Sequence, residues 1–413
     1  MERLDLKFIN YSPDFKNESL NNRAINLLND IRTKNVQGFE YFGFNDLALN
    51  FSQLNLNELT NFSNLINNQK ITDIVIFCTN NDIQNFNIAS GFLNSNDILK
   101  EYKIKYNFIS NDEPEQWQKK YIQIKNSILY QPTTAFLFIG QSKYNEPFVE
   151  FIKLIMNKIQ IHFGYYRALE KCFLISKQVL EKQLNFLDIE EKNKIIMPNI
   201  LTTNYSFFAE SNLFLLLLKG CDLLGIVEGY GSAYQFFSSE KIDENIAFQY
   251  AYVRSVLSKN LRYHMLTSND NILNNSLVLW MNMSNYYYKK KNVFSYYTSY
   301  PNTIYTYGQF ILDNNKSLYI TYCQFLNEKL DYQLSDELNS NDGLEDYNIS
   351  KLSQFRQSSD NGLIETLTNV VSTPFCVLSI LDNSAISLGS FIAFIYWSWI
   401  YECYLDKINP FEL

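Results

Sequence analysis

Ile74-Val75-Ile76-Phe77-Cys78 is an uninterrupted apolar run, with Thr72-Asp73 before it and Thr79-Asn80-Asn81 after it. Successive apolar residues leave no polar face, so a strand made of them must be covered on both sides. Lys105 to Ile109 and Ala135 to Ile139 repeat this texture, and Ile195-Ile196-Met197-Pro198 adds a further candidate strand. Stretches with helical spacing lie between and after these runs. Buried strands alternating with helices predict an α/β fold, a mainly parallel sheet layered between helices.

Working outward, the first 65 residues are polar, with Leu20, Ile25, Leu27, Leu28 and Ile31 at helical spacing. A second unit begins near Leu201. Within it Phe207 to Cys221, Glu244 to Leu257, Tyr305 to Gln324 and Leu388 to Asp406 read as helices. Asn292 to Tyr297 and Cys376 to Leu381 read as strands, and Ser335 to Asp342 as a surface loop. A chain of 413 residues also exceeds what one hydrophobic core commonly supports. The expected division is therefore an N-terminal helical segment over 1–65, a first α/β domain over 66–200, and a second over 201–413.

A hydrophobic fraction of 46% and a charged fraction of 19% fit a soluble globular protein. The 30 Tyr and 32 Phe, together with abundant Asn, Ile and Lys, reflect A/T-rich codons as well as selection. A net charge of −8 argues against nucleic acid or an anionic membrane as partner. The one basic run, Lys289-Lys290-Lys291 after Tyr286-Tyr287-Tyr288, reads as a solvated loop before a strand. Cys78, Cys172, Cys221, Cys323, Cys376 and Cys403 lie far apart without CxxC spacing, as buried reduced thiols do. With only His162 and His264, no His-rich metal site can be assembled. No signal peptide is visible at Met1 to Asn10, and the apolar stretch Leu388 to Tyr401 is about 14 residues, short of a membrane span. A cytoplasmic, reducing setting without cofactor or membrane insertion is expected.

The second half goes beyond fold class. Glu244-Asn245-Ile246-Ala247-Phe248-Gln249-Tyr250-Ala251-Tyr252-Val253-Arg254 resembles the ENPAYQYAAIR segment of bacterial glucose-6-phosphate isomerases. Gly308-Gln309-Phe310-Ile311 resembles their GQYI. Leu388-Gly389 and Asn409-Pro410-Phe411 have the spacing of their LG…NPF ending. Asn204-Tyr205-Ser206 through Gly220-Cys221-Asp222 is similar to RFS…AGID, and Phe42-Gly43-Phe44-Asn45-Asp46-Leu47 to LGWLDL. Identity is thin, but the agreement keeps its order along nearly the whole chain. The resemblance implies two sugar-isomerase (SIS-like) αβα sandwich domains with mainly parallel sheets. It also implies a homodimer whose active site draws residues from both subunits.

The family reaction moves a proton between C1 and C2 of a sugar phosphate, which needs a phosphate cradle, a ring-opening acid/base, a carboxylate base and a nearby cation. Carried over by motif, each position is altered. The glycine turn GIGGS becomes Cys78-Thr79-Asn80-Asn81-Asp82, which removes the anion nest and adds a carboxylate. SKSGTT becomes Ile139 to Tyr144, where Ser142 and Lys143 remain as candidate phosphate contacts in what is otherwise a strand-to-helix loop. The family Arg falls on Asn204, the base of GQYIQEG on Asp313, and the ring-opening His on Thr368. Asp313 is a methylene short and reads rather as a solvated residue near a helix end. The C-terminal lysine has no counterpart before the chain ends at Glu412-Leu413.

The leading expectation is a catalytically inactive phosphoglucose isomerase homologue, a structural or scaffold subunit of a cytoplasmic assembly, with cytoskeletal or motility-related assemblies among the candidates. It would associate as a homodimer or hetero-assembly and bind sugar phosphate weakly or not at all. Two alternatives stay open: a residual isomerase carried by Asp313, and a regulatory sugar-phosphate-binding module carried by Ser142 and Lys143.

Overall fold

The computed structural model describes residues 3–93, 104–287, 291–327, 331–334 and 350–411. The strands among them are β1 (Leu4–Ile9), β2 (Asp73–Cys78), β3 (Lys105–Ser110), β4 (Thr134–Gly140), β5 (Cys172–Lys177), β6 (Lys194–Met197), β7 (Tyr263–Thr267), β8 (Phe294–Thr298), β9 (Leu318–Phe325) and β10 (Phe375–Ile380). They form two sheets, and the chain divides into two compact units. One gathers the described parts of Met1–Phe39, Gly91–Leu99 and Gly225–Leu413; the other holds Glu40–Ser90 and Lys100–Leu224.

In the Glu40–Leu224 unit the order is β3-β2-β4-β5-β6, with every pairing parallel. Ile74 sits opposite both Tyr106 and Ala135, so the apolar run Ile74 to Cys78 is a central strand. Period-2 alternation sends Val75, Phe77, Phe136 and Phe138 to one face, where Phe77 stacks on Phe138 at 4.9 Å. That face is covered by the helix Glu146–Phe163, whose buried residues Phe148, Val149, Ile152, Ile155, Met156 and Ile159 form one stripe. The helix starts where Asn145 accepts the Phe148 N–H at 2.8 Å and Pro147 presets the first turn. On the opposite face Phe62 packs edge-on against Phe173 at 5.6 Å.

In the other unit the order is β1-β10-β9-β7-β8, parallel except for β1, which runs antiparallel to β10 with Leu4 opposite Ile380. Its longest helix, Ala385–Leu405, is buried along nearly its whole length, which accounts for a run of apolar residues too short for a bilayer. Among the described residues no helix is long and apolar enough to cross a membrane. The mixed α/β class with mainly parallel sheets is the one the sequence predicted.

Three local readings change. The segment 1–65 opens on a strand, β1, because Leu4-Asp5-Leu6 alternates and pairs at a sheet edge. Tyr305 to Gln324 is not one helix: Ile304–Asp313 stops at Asn314, and the aromatic and β-branched run Leu318–Phe325 becomes β9. Lys291 is not solvated; its side chain is 4% exposed and pairs with Glu402 and Asp406, carboxylates whose burial demands a cation. Lys289, Lys290 and the loop Ser335 to Asp342 lie outside the described residues.

Candidate functional site

The turn that follows β2 begins the helix Asn80–Leu93. Thr79 and Asp82 cap it reciprocally. The Asp82 carboxylate accepts the Thr79 N–H at 3.0 Å and its hydroxyl at 2.7 Å, while Thr79 Oγ1 accepts the Asp82 N–H at 3.4 Å. A second carboxylate, Asp112 after β3, accepts the Asn80 N–H at 2.7 Å. Backbone N–H groups at a helix start are ready donors to a phosphate; here the chain's own carboxylates take those of Thr79 and Asn80. Asp82 is buried, and burial pushes its pKa up to about 6 against the two hydrogen bonds from Thr79, with Asp112 adding a like charge.

The same turn is closed laterally. Asn81 and Asn85 both donate to Ser206 Oγ, at 3.0 and 2.9 Å, and Ser206 donates to the Thr203 carbonyl at 2.6 Å. Asn204, which the resemblance aligned with the family Arg, lies half-buried in the single turn Thr203–Tyr205. Its neutral amide brings no cation to this corner.

After the neighbouring strand β4, Tyr144 turns inward. Its hydroxyl lies 2.7 Å from the carbonyl oxygens of both Phe77 and Ile139, and its backbone exchanges hydrogen bonds with the Gln183 amide at 2.8 and 2.9 Å. That anchor leaves Ser142 and Lys143 exposed on the loop. The structure thus brings the two loops that the sequence aligned with phosphate turns, Cys78–Asp82 and Ser142–Tyr144, to the same C-terminal edge of adjacent parallel strands.

Asp313 and Thr368 belong to the other unit. Asp313 is the exposed last residue of Ile304–Asp313 and accepts a 2.9 Å hydrogen bond from Gln309. Thr368 lies in a π-helical turn, Leu367–Val371, and returns its hydroxyl to the Ile364 carbonyl at 2.7 Å. Their flanking residues Ile311 and Leu367 share one apolar cluster. His162 is exposed at the end of Glu146–Phe163, beside the Tyr130 and Phe163 rings. His264 is buried in β7 among the hydroxyls of Thr321 (2.9 Å), Ser295 (3.2 Å) and Tyr250 (3.4 Å). Burial, then the charges of Arg254 and Lys291, hold its pKa well below the usual imidazole value. Among the described residues no group of three His, Cys, Asp or Glu could hold a metal ion.

The motif residues that persist do architectural work. Asn245 caps the helix Ile246–Leu257 by accepting the Phe248 N–H at 2.9 Å, and Gln249 donates to the Ile242 carbonyl at 2.7 Å. Tyr250 shares a 2.8 Å hydrogen bond with Thr321. Arg254 is ion-paired with Glu402 at 3.0 Å, both side chains nearly inaccessible. Sequence reasoning identified Asp82 only as a misplaced charge and missed Thr79, Asp112 and Ser206 as its company. The signal was present for Thr79, since Thr-x-x-Asp before an apolar helix is a capping-box pattern. Asp112 and Ser206 come from remote chain segments.

The paired αβα units with parallel sheets define a sugar-isomerase (SIS-like) fold. The comparisons narrow the class: the chain is a homologue of glucose-6-phosphate isomerases. It is 22% identical over 411 residues to the glucose-6-phosphate isomerase of Mycoplasmopsis pulmonis, covering 96% of this chain and 90% of that one. A glucose-6-phosphate isomerase of Mycoplasma mobile is 25% identical over 228 residues, 54% of this chain and 52% of its own length. Among solved structures, a hypothetical protein of Thermus thermophilus superposes with a TM-score of 0.78 at 13% identity, over 99% of this chain and 96% of that one. A glucose-6-phosphate isomerase of Chlamydia trachomatis gives 0.66 at 12% identity, over 86% and 70%. No protein-family model matches the chain.

Proposed function

We propose that this chain is a catalytically inactive relative of glucose-6-phosphate isomerase, retained as a structural subunit of a larger protein assembly. The observation that carries the reading is the turn after β2, where Asp82 and Asp112 take the N–H groups of Thr79 and Asn80. A substrate phosphate there would have to displace two carboxylates of its own charge. The other positions support the same reading: Asn204 is uncharged, Thr368 is engaged with its own helix, and neither histidine stands in the position of the family His. Losing a single stabiliser of transition-state charge costs on the order of 10²–10³ in rate.

A coupled assay of purified protein with glucose 6-phosphate tests it. No conversion to fructose 6-phosphate is expected; a turnover number within tenfold of the ~10 s⁻¹ typical of enzymes overturns the reading. The regulatory alternative draws on one feature, the exposure of Ser142 and Lys143 on the β4 loop.

A further inference from the structure

The sheet β3-β2-β4-β5-β6 has a second edge. Gln69, Pro132, Lys171 and Lys192 stand on the connections that enter β2, β4, β5 and β6. With Phe163, Arg167 and Glu170 they line a cleft of about 490 Å³. It lies at the N-terminal ends of these strands, the opposite end from the turns at Cys78–Asp82 and Ser142–Tyr144.

Three cations face one carboxylate in this cleft, although the whole chain carries −8. Lys171 is held in place: its ammonium donates to the Pro132 carbonyl and, at 3.3 Å, to that of Thr134, and it lies 5.2 Å from the centre of the Phe163 ring. These partners are neutral, so they orient the charge without balancing it. Partial burial lowers the Lys171 pKa, with the nearby Glu170 only partly opposing the shift. Gln69 steadies the wall by donating to the Glu170 carbonyl at 3.2 Å. Arg167 is exposed and, among the described residues, has no hydrogen-bond or ion-pair partner. Lys192 pairs with Glu190 at 2.6 Å, both exposed, a contact weak enough to be exchanged.

A guanidinium fork beside two ammonium groups suits phosphate oxygens. The volume falls within the ~300–1,000 Å³ of small-ligand sites. We propose that this cleft binds a compact, multiply charged anion, the phosphate or pyrophosphate group of a small molecule. The proposal stands apart from the isomerase reading, because the cleft shares no residue with the former phosphate turns.

Titration calorimetry of the full chain with inorganic pyrophosphate at low ionic strength tests it. One saturable site is expected, weakened at least tenfold in Arg167→Glu/Lys192→Glu and unchanged in Lys143→Ala. Both substituted side chains are exposed, and circular dichroism verifies that the double variant is folded. Absence of binding at millimolar pyrophosphate, a smaller loss in the folded double variant, or loss in Lys143→Ala instead overturns the proposal.

Discussion

A carboxylate at the start of a helix normally gains from the unpaired N–H groups there, and its pKa falls. Asp82 makes such hydrogen bonds to Thr79, yet burial prevails and its pKa rises to about 6. Between about pH 4 and pH 6 the native state therefore holds a proton that the unfolded chain, with an ordinary carboxyl near 3.8, has released. Stability linked to Asp82 is present below about pH 4 and is lost as pH rises through about 6. Buried His264 acts in the opposite sense, since its folded-state pKa is depressed and its contribution is lost as pH falls below about 6.5. Comparison with Asp82→Asn cancels the histidine. The asparagine keeps an acceptor for the Thr79 N–H but cannot ionise. Relative to the parent, the variant is expected to gain on the order of 1–3 kcal/mol between about pH 4 and pH 7. Urea unfolding across that range is the measurement, and parallel stability curves would remove Asp82 as a strained carboxylate.

At the scale of elements, the helices Leu223–Phe237 and Ala385–Leu405 meet at two glycines. A Cβ on Gly389 would lie 1.8 Å from the Ile226 carbonyl oxygen, and one on Gly229 would lie 1.9 Å from that of Ile386. Backbone contact this close lets Ser390 donate to the Gly229 carbonyl at 2.9 Å, and Trp397 to the Tyr230 hydroxyl at 3.0 Å. Ala385–Leu405 also carries Glu402, which receives Arg254 from Ile246–Leu257. Gly389→Ala must push backbone against backbone, with no flexible side chain to yield. A loss of at least about 3 kcal/mol is expected, at the upper end of overpacking effects. Thermal or urea denaturation measures it, and a change below about 1 kcal/mol contradicts the close crossing.

For the molecule as a whole, the proposed loss of activity with the core kept would mean selection on shape and surface, because most substitutions destabilise and margins are only ~5–15 kcal/mol. Large apolar side chains stand in solvent on each unit: Ile161 is 81% and Tyr166 80% exposed on one, Tyr305 100% and Val370 70% on the other. Side chains of this kind suit association with protein partners. Native-size measurement on cell extract is expected to find the chain in a dimer or larger complex. A lone species near 48.6 kDa, with no partner on gentle crosslinking, contradicts a scaffold role.

The α/β class and the central strands β2 and β4 were legible because a strand buried on both faces leaves a continuous apolar signature that needs no partner to be recognised. The resemblance was legible because Asn245, Gln249, Tyr250, Arg254 and Gly389 answer to local geometry and close packing, which fix their spacing whatever the chemistry of the site. The resemblance also aligned Asp82 with the glycine turn of the isomerases. The sequence could not show that Asp112 would arrive from the end of β3, that Ser206 would close the turn, or that Lys171, Arg167 and Lys192 would converge on one cleft. Those juxtapositions join separate loops of the chain, and only parallel strand pairing, which sets each strand's two ends at opposite edges of the sheet, decides which loops become neighbours.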